Sequence, residues 1–172
     1  MSNFAHARIH EFETTHLKST AGTGVSSILA EEAAFLNPAS LSFFNNGSVY
    51  FQRDMLQLKD DKGNIVQKPK STGVVLADGN ASLSGTVSYV HQEEGAIKRS
   101  RWGASASAPL NPGSAFGFSM RKTKDENTLT NKKIDYYQSV FGVTHSIDTQ
   151  SSVGVVVSVS YTHLRAHETL SY

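Results

Sequence analysis

The sequence predicts an all-β chain whose strands form an antiparallel transmembrane barrel, preceded by one short helical segment. Three observations point there. From Ser48 onward, apolar residues alternate with Ser, Thr and Gly at period two, as in strands with two unlike faces. Charged connections, around 60–70, 91–99 and 122–133, alternate with short ones, around 78–80, 109–114 and 147–150. External loops and periplasmic turns alternate in that way in outer-membrane barrels, whereas Greek-key sandwiches have no need to. The polar face carries few charges until the strand ends, and about 9–11 residues suffice to cross a bilayer at barrel tilt.

The chain opens on a polar stretch containing His6, His10 and His16, irregularly spaced and without a carboxylate pattern, so exposed histidines explain them better than a metal site. Ala5-His6-Ala7 has the small-x-small form of a signal-peptidase site but lacks a preceding apolar region. Residues 1–7 are therefore either a signal-peptide remnant or an ordinary polar start. Ala21 to Leu41 is the one segment that reads as helical. Gly22 and Gly24 make a flexible entry, and Ser26 or Ser27 supplies a cap. Ile28, Leu29 and Phe35 form a short apolar face opposite Glu31. Asn37-Pro38 closes the helix, because a residue before proline leaves the α region. The same pair opens a second turn, with Asn37 as N-cap and Pro38 at the first helical position.

Ser48 to Leu58 reads as the first strand, with Arg53-Asp54 interrupting its alternation. Val74-Val75-Leu76 is a short apolar run closed by Asp78-Gly79-Asn80. Leu83, Gly85, Val87 and Tyr89 then share a face, as do Trp102, Ala104, Ala106 and Ala108. After a turn at 109–113, Phe116, Phe118 and Met120 alternate with Gly117, Ser119 and Arg121. Tyr137, Phe141 and Val143 mark the next strand, and Val153, Val155 and Val157 the last. Tyr89, Trp102, Tyr136 and Tyr137 fall where an aromatic girdle would sit.

The helical segment carries a family resemblance. Glu31-Glu32-Ala33-Ala34-Phe35-Leu36-Asn37-Pro38-Ala39-Ser40-Leu41 resembles the acidic pair, small residues, aromatic and N-P-A-G-L near the mature N-terminus of FadL-like outer-membrane proteins. That family takes up long-chain fatty acids and other hydrophobic compounds. Ser40 replaces the usual Gly, and the acidic pair is Glu-Glu instead of Asp-Asp. The resemblance implies a truncated barrel with a short N-terminal helical hatch, in the outer membrane of a Gram-negative bacterium. It makes Glu31, Glu32, Phe35, Asn37, Pro38, Ala39 and Leu41 the hatch motif. It implies outer-membrane lipids and a hydrophobic small molecule as partners, with no cofactor and no catalysis. A non-transporting surface or scaffold barrel, and a soluble secreted sandwich, are the alternatives.

Residues 159–169 resemble one translated frame of a sequencing-library adapter, so 159–172 is expected to be a non-native tail and the barrel to continue in the natural protein. On that reading His163 and His167 form no metal pair despite their i, i+4 spacing. The expected organisation is residues 1–7 as possible remnant, 8–46 as hatch, 47–158 as barrel fragment and 159–172 as tail.

Composition narrows the function. A net charge of +1 over 172 residues argues against a nucleic-acid partner. Zero cysteines remove disulfide and thiolate chemistry. Gly22-Thr23-Gly24 lacks both the third glycine and the preceding strand of a dinucleotide fingerprint. Asp60-Asp61, Glu93-Glu94 and Asp125-Glu126 are expected in solvated loops, and Lys98, Arg99 and Arg101 at anionic headgroups.

Overall fold

A computed structural model describes residues 11–19, 29–79, 82–148 and 151–163. Among these residues, nine strands follow two short helices, α1 (Thr15–Ser19) and α2 (Ala30–Phe35), and a 3-10 turn over Pro38–Phe43. The strands are β1 (Ser48–Met55), β2 (Leu58–Lys59), β3 (Ile65–Gln67), β4 (Lys70–Asp78), β5 (Ser84–Glu94), β6 (Ile97–Asn111), β7 (Ser114–Asn127), β8 (Lys132–Ser146) and β9 (Ser152–His163). Seven make one antiparallel sheet in the order β1-β4-β5-β6-β7-β8-β9, while β2 and β3 form a separate hairpin inside the β1–β4 connection. The architecture is all-β, and the sheet is open, with β1 and β9 at its edges.

Two of the three long charged connections turn out to be strand. β5 and β6 meet at a two-residue turn, Gly95-Ala96, with Gly95 at φ 58°. β7 and β8 are joined only by 128–131, with Asn131 at φ 53° and Asn127 Oδ1 accepting from the amides of Leu129 and Thr130. Glu93-Glu94 and Asp125-Glu126 thus lie in strands, not loops. Ladder pairing continues past the point where the side chains turn polar, and hydropathy alone cannot register that. Likewise, β9 runs through Val159 and Tyr161 to His163, paired with β8.

The register sorts the two faces. Residues directly opposite on neighbouring antiparallel strands share a face, so each lateral row can be followed across the sheet. One face carries Ala108, Phe116, Val143 and Val155 in one row. The next holds Gly85, Ala106, Phe118, Phe141 and Val157, and the next Leu76, Val87, Ala104, Met120, Ser139 and Val159. A fourth row reads Phe51, Val74, Tyr89, Trp102, Lys122, Tyr137 and Tyr161. Most of the large members of these rows are exposed, Val155 at 64% and Phe141 at 53%. The opposite face is buried and largely polar, with Gln52, Ser84, Thr86, Ser88, Gln92, Arg99, Arg101, Ser107, Ser119, Arg121, Thr123 and Thr144 beside the apolar Val75, Ala77, Val90, Ala115 and Val140. This sheet is inverted relative to a soluble protein. Its apolar side faces outward, and its polar side is covered by the N-terminal segment.

Candidate functional site

The covered face and the segment lying on it form the candidate site. α2 is only six residues long and starts after Leu29, which offers no side-chain cap. The expected caps, Ser26 and Ser27, and Ile28 with them lie outside the described residues. Asn37 ends the α2 path and starts the 3-10 turn as its sequence position predicts. Its Oδ1 accepts from the Ala39 amide at 3.1 Å, with Pro38 at the first position.

The turn seats on glycine. A Cβ at Gly142 would stand 1.9 Å from Asn37 Oδ1, and one at Gly117 would stand 2.3 Å from the Ala39 nitrogen. Gly117 and Gly142 are opposite each other on β7 and β8, so together they leave a trough one backbone deep. Around it, hydroxyls close the contact. Asn37 Nδ2 donates to Thr144 Oγ1 at 2.9 Å, Ser40 Oγ lies 3.2 Å from the same oxygen, and Ser107 Oγ donates to the Ala39 carbonyl at 3.0 Å. Ser40, the position that departs from the family pattern, uses its hydroxyl on Thr144.

Of the motif residues, Glu32, Asn37, Pro38, Ala39 and Leu41 are essentially inaccessible, Phe35 is buried and Glu31 is half-exposed. Phe35 packs on Phe12 with ring centroids 5.3 Å apart, in a cluster with Ala34, Val75 and Val90. Ala33 and Leu41 pack with Ala77 in a second cluster. Leu36, which follows α2, is half-buried.

Several residues that hold the segment were not singled out from sequence. Arg121 Nη2 donates to the Phe35 carbonyl at 2.6 Å and to Ala34 at 3.3 Å, closing the end of α2. Residues 11–19, within the expected hatch segment but given no helix by the sequence pattern, bury Phe12, Thr14 and Leu17 and add α1. Glu11 reaches Arg101 at 2.6 Å and Arg99 at 3.5 Å, and Asp125 pairs with Arg99 at 2.8 Å. Lys18 holds Asp54 at 2.6 Å. Arg99 and Arg101 are thus buried on the inner face, and of that basic cluster only Lys98 is exposed. Tyr136 also faces inward, opposite buried Thr123, and leaves the aromatic row to Tyr89, Trp102, Tyr137, Phe51 and Tyr161. The signal for the trough was present as Gly117 and Gly142 at inward positions of otherwise regular strands, where glycine marks close backbone approach.

At the charged end of the sheet the N-terminal segment and the wall leave a cleft of about 450 Å³. Phe12, Leu56, Leu58 and Pro69 line its apolar part, and Lys18, Lys70 and several carboxylates its rim. Among the described residues no group of three metal-binding side chains converges. No described helix is long and apolar enough to cross a membrane, which says nothing of strands.

Comparison with protein-family models, curated proteins and solved structures finds no match to this chain.

Proposed function

We propose that the chain is part of an outer-membrane β-barrel for passive uptake of hydrophobic small molecules such as long-chain fatty acids, with residues 8–46 as its hatch. The observation that carries the membrane reading is the inverted sheet. Four outward apolar rows cover about 20 Å of strand, close to the roughly 25 Å apolar band of such barrels. An aromatic row bounds the band on one side, and charged rows follow it. Further strands joining the β1 and β9 edges would close the wall and remove two exposed edges. The amphipathic cleft supports the uptake reading, because its size suits a small ligand with one apolar end. Entry would begin there, and passage would require the segment on Gly117 and Gly142 to shift.

A second reading, a barrel that does not transport, draws support from the hydroxyl and guanidinium lining of the inner face. One experiment separates them. The protein is expressed in Gram-negative cells lacking fatty-acid uptake, the membranes are fractionated, and entry of a labelled long-chain fatty acid is followed. Outer-membrane recovery with restored uptake is expected. Outer-membrane recovery without uptake selects the scaffold reading. Recovery in the soluble fraction without detergent rejects both and favours a sandwich.

A further inference from the structure

The outward face changes character at the aromatic row, and two lysines of β7 stand at that change. Lys122 belongs to the row itself, between Trp102 of β6 and Tyr137 of β8. Its Nζ lies 5.7 Å from the Tyr137 ring centre. Lys124 is the next outward residue of β7, about 7 Å further toward the charged end, with Ser100 and Asp135 opposite it on the neighbouring strands. Both lysines are exposed.

Among the described residues, two outward cations of β6 and β8 are answered within the protein, while Arg53 of β1 and Lys70 of β4 make no ion pair. Lys98 lies 3.6 Å from Glu93 and Lys133 lies 3.4 Å from Glu126. Among the described residues, Lys122 and Lys124 make no ion pair, although Asp135 is in register with Lys124. His91, the titratable neighbour beyond Ser100, is bonded to Ser100 and Glu93. Two ammonium groups without an ion pair among the described residues therefore sit where an apolar wall meets water, that of Lys122 over the Tyr137 ring, a position from which lysine reaches an interface.

We propose that Lys122 and Lys124 bind the phosphate of an anionic membrane lipid, the acyl chains of that lipid lying on the apolar rows of β6, β7 and β8. This rests on the membrane reading above. Each lysine contributes about a fivefold preference for an anionic over a zwitterionic headgroup.

Trp102, the only tryptophan of the chain, is opposite Lys122 and reports on the site. The chain is inserted into phosphatidylcholine vesicles carrying a trace of headgroup-nitroxide lipid, either phosphatidic acid or phosphatidylcholine, and quenching of Trp102 is measured. The expected result is at least tenfold stronger quenching per labelled phosphatidic acid. Lys122→Gln/Lys124→Gln should lose that preference while keeping the quenching by labelled phosphatidylcholine, which shows that the variant still inserts. Equal quenching by both lipids in the unmodified chain overturns the headgroup site and leaves the membrane reading standing. A preference that survives in the double variant overturns the assignment to these lysines. Abolition of the preference by millimolar inorganic phosphate overturns it in favour of a free-anion site. Absence of quenching by either lipid removes the membrane reading and this site with it.

Discussion

Arg121 Nη2 donates a 2.6 Å hydrogen bond to the carbonyl of Phe35, the last residue of α2. A guanidinium on the wall thus answers the free carbonyls of a helix too short to be stable alone. The bond is buried and charge-assisted, so Arg121→Gln should weaken seating of the segment by about 1.5–3 kcal/mol. Hydrogen exchange of amides 32–36 should accelerate roughly ten- to a hundredfold, with the β7–β8 amides unaffected. Unchanged exchange in 32–36 would show that the apolar clusters alone hold the segment.

The glycine trough makes a steric prediction. In Gly117→Ala the new methyl meets backbone atoms of Pro38 and Ala39, at 2.4 and 2.3 Å, and no flexible side chain can yield. The 3-10 turn should lift at a cost of about 1–3 kcal/mol. Limited proteolysis should then cut within 36–46, while the far-ultraviolet spectrum keeps its strand signal. Digestion indistinguishable from the parent protein would mean that the turn does not occupy the trough.

Asn37 joins the turn to the wall through Ala39 and Thr144. Loss of the cap in Asn37→Ala should cost about 0.5–2 kcal/mol. That is too little to unfold the sheet but enough to loosen the seat. On the proposed function, uptake of a labelled fatty acid should change at matched surface levels. Normal assembly with unchanged uptake would remove a gating role from Asn37, and lost assembly would assign it to folding.

Val157, 59% exposed on the outward face and in the second of the four rows, tests whether that face meets lipid. Val157→Arg should cost about 2–4 kcal/mol near a bilayer midplane, whereas Thr130→Arg, in the β7–β8 connection, should cost almost nothing. Urea unfolding from vesicles measures both. Equal midpoints for the two variants would be incompatible with a lipid-facing surface.

The β2–β3 hairpin supplies a pH prediction. Asp60 receives the side-chain amide of Asn64 at 3.1 Å and the backbone amides of Asn64 and Lys62 at 2.8 and 2.9 Å. Its carboxyl is held below the usual range, chiefly by the Asn64 side chain and then by the Asn64 amide. A depressed folded value means that the contribution is complete above the unfolded value near pH 4 and is lost as pH falls through the folded one. Amide exchange at Lys62 and Asn64, compared with Asp60→Asn, should therefore show protection that persists at pH 5 and fades at lower pH. Constant protection down to pH 2 would mean that the ionised carboxylate does not hold the turn.

Alternation was legible wherever one face is apolar: Phe116, Phe118 and Met120, or Val153, Val155 and Val157, declare their strands because side chains on a strand repeat at period two. Asn37-Pro38 declared its turn for an equally local reason, a side-chain cap and a fixed φ. Strand continuing through Glu93, Arg99 and Asp125 was not legible, since there both faces are polar and only ladder hydrogen bonds to neighbours hold the backbone extended. Nor could local pattern say which residues meet across long separations. Arg121 finds the Phe35 carbonyl 86 positions away. Glu11 finds Arg101 90 positions away. Those contacts exist because register places Gly117 opposite Gly142 and opens a trough for the N-terminal segment. Periodicity determines the face of each residue, and only the assembled sheet determines what that face touches.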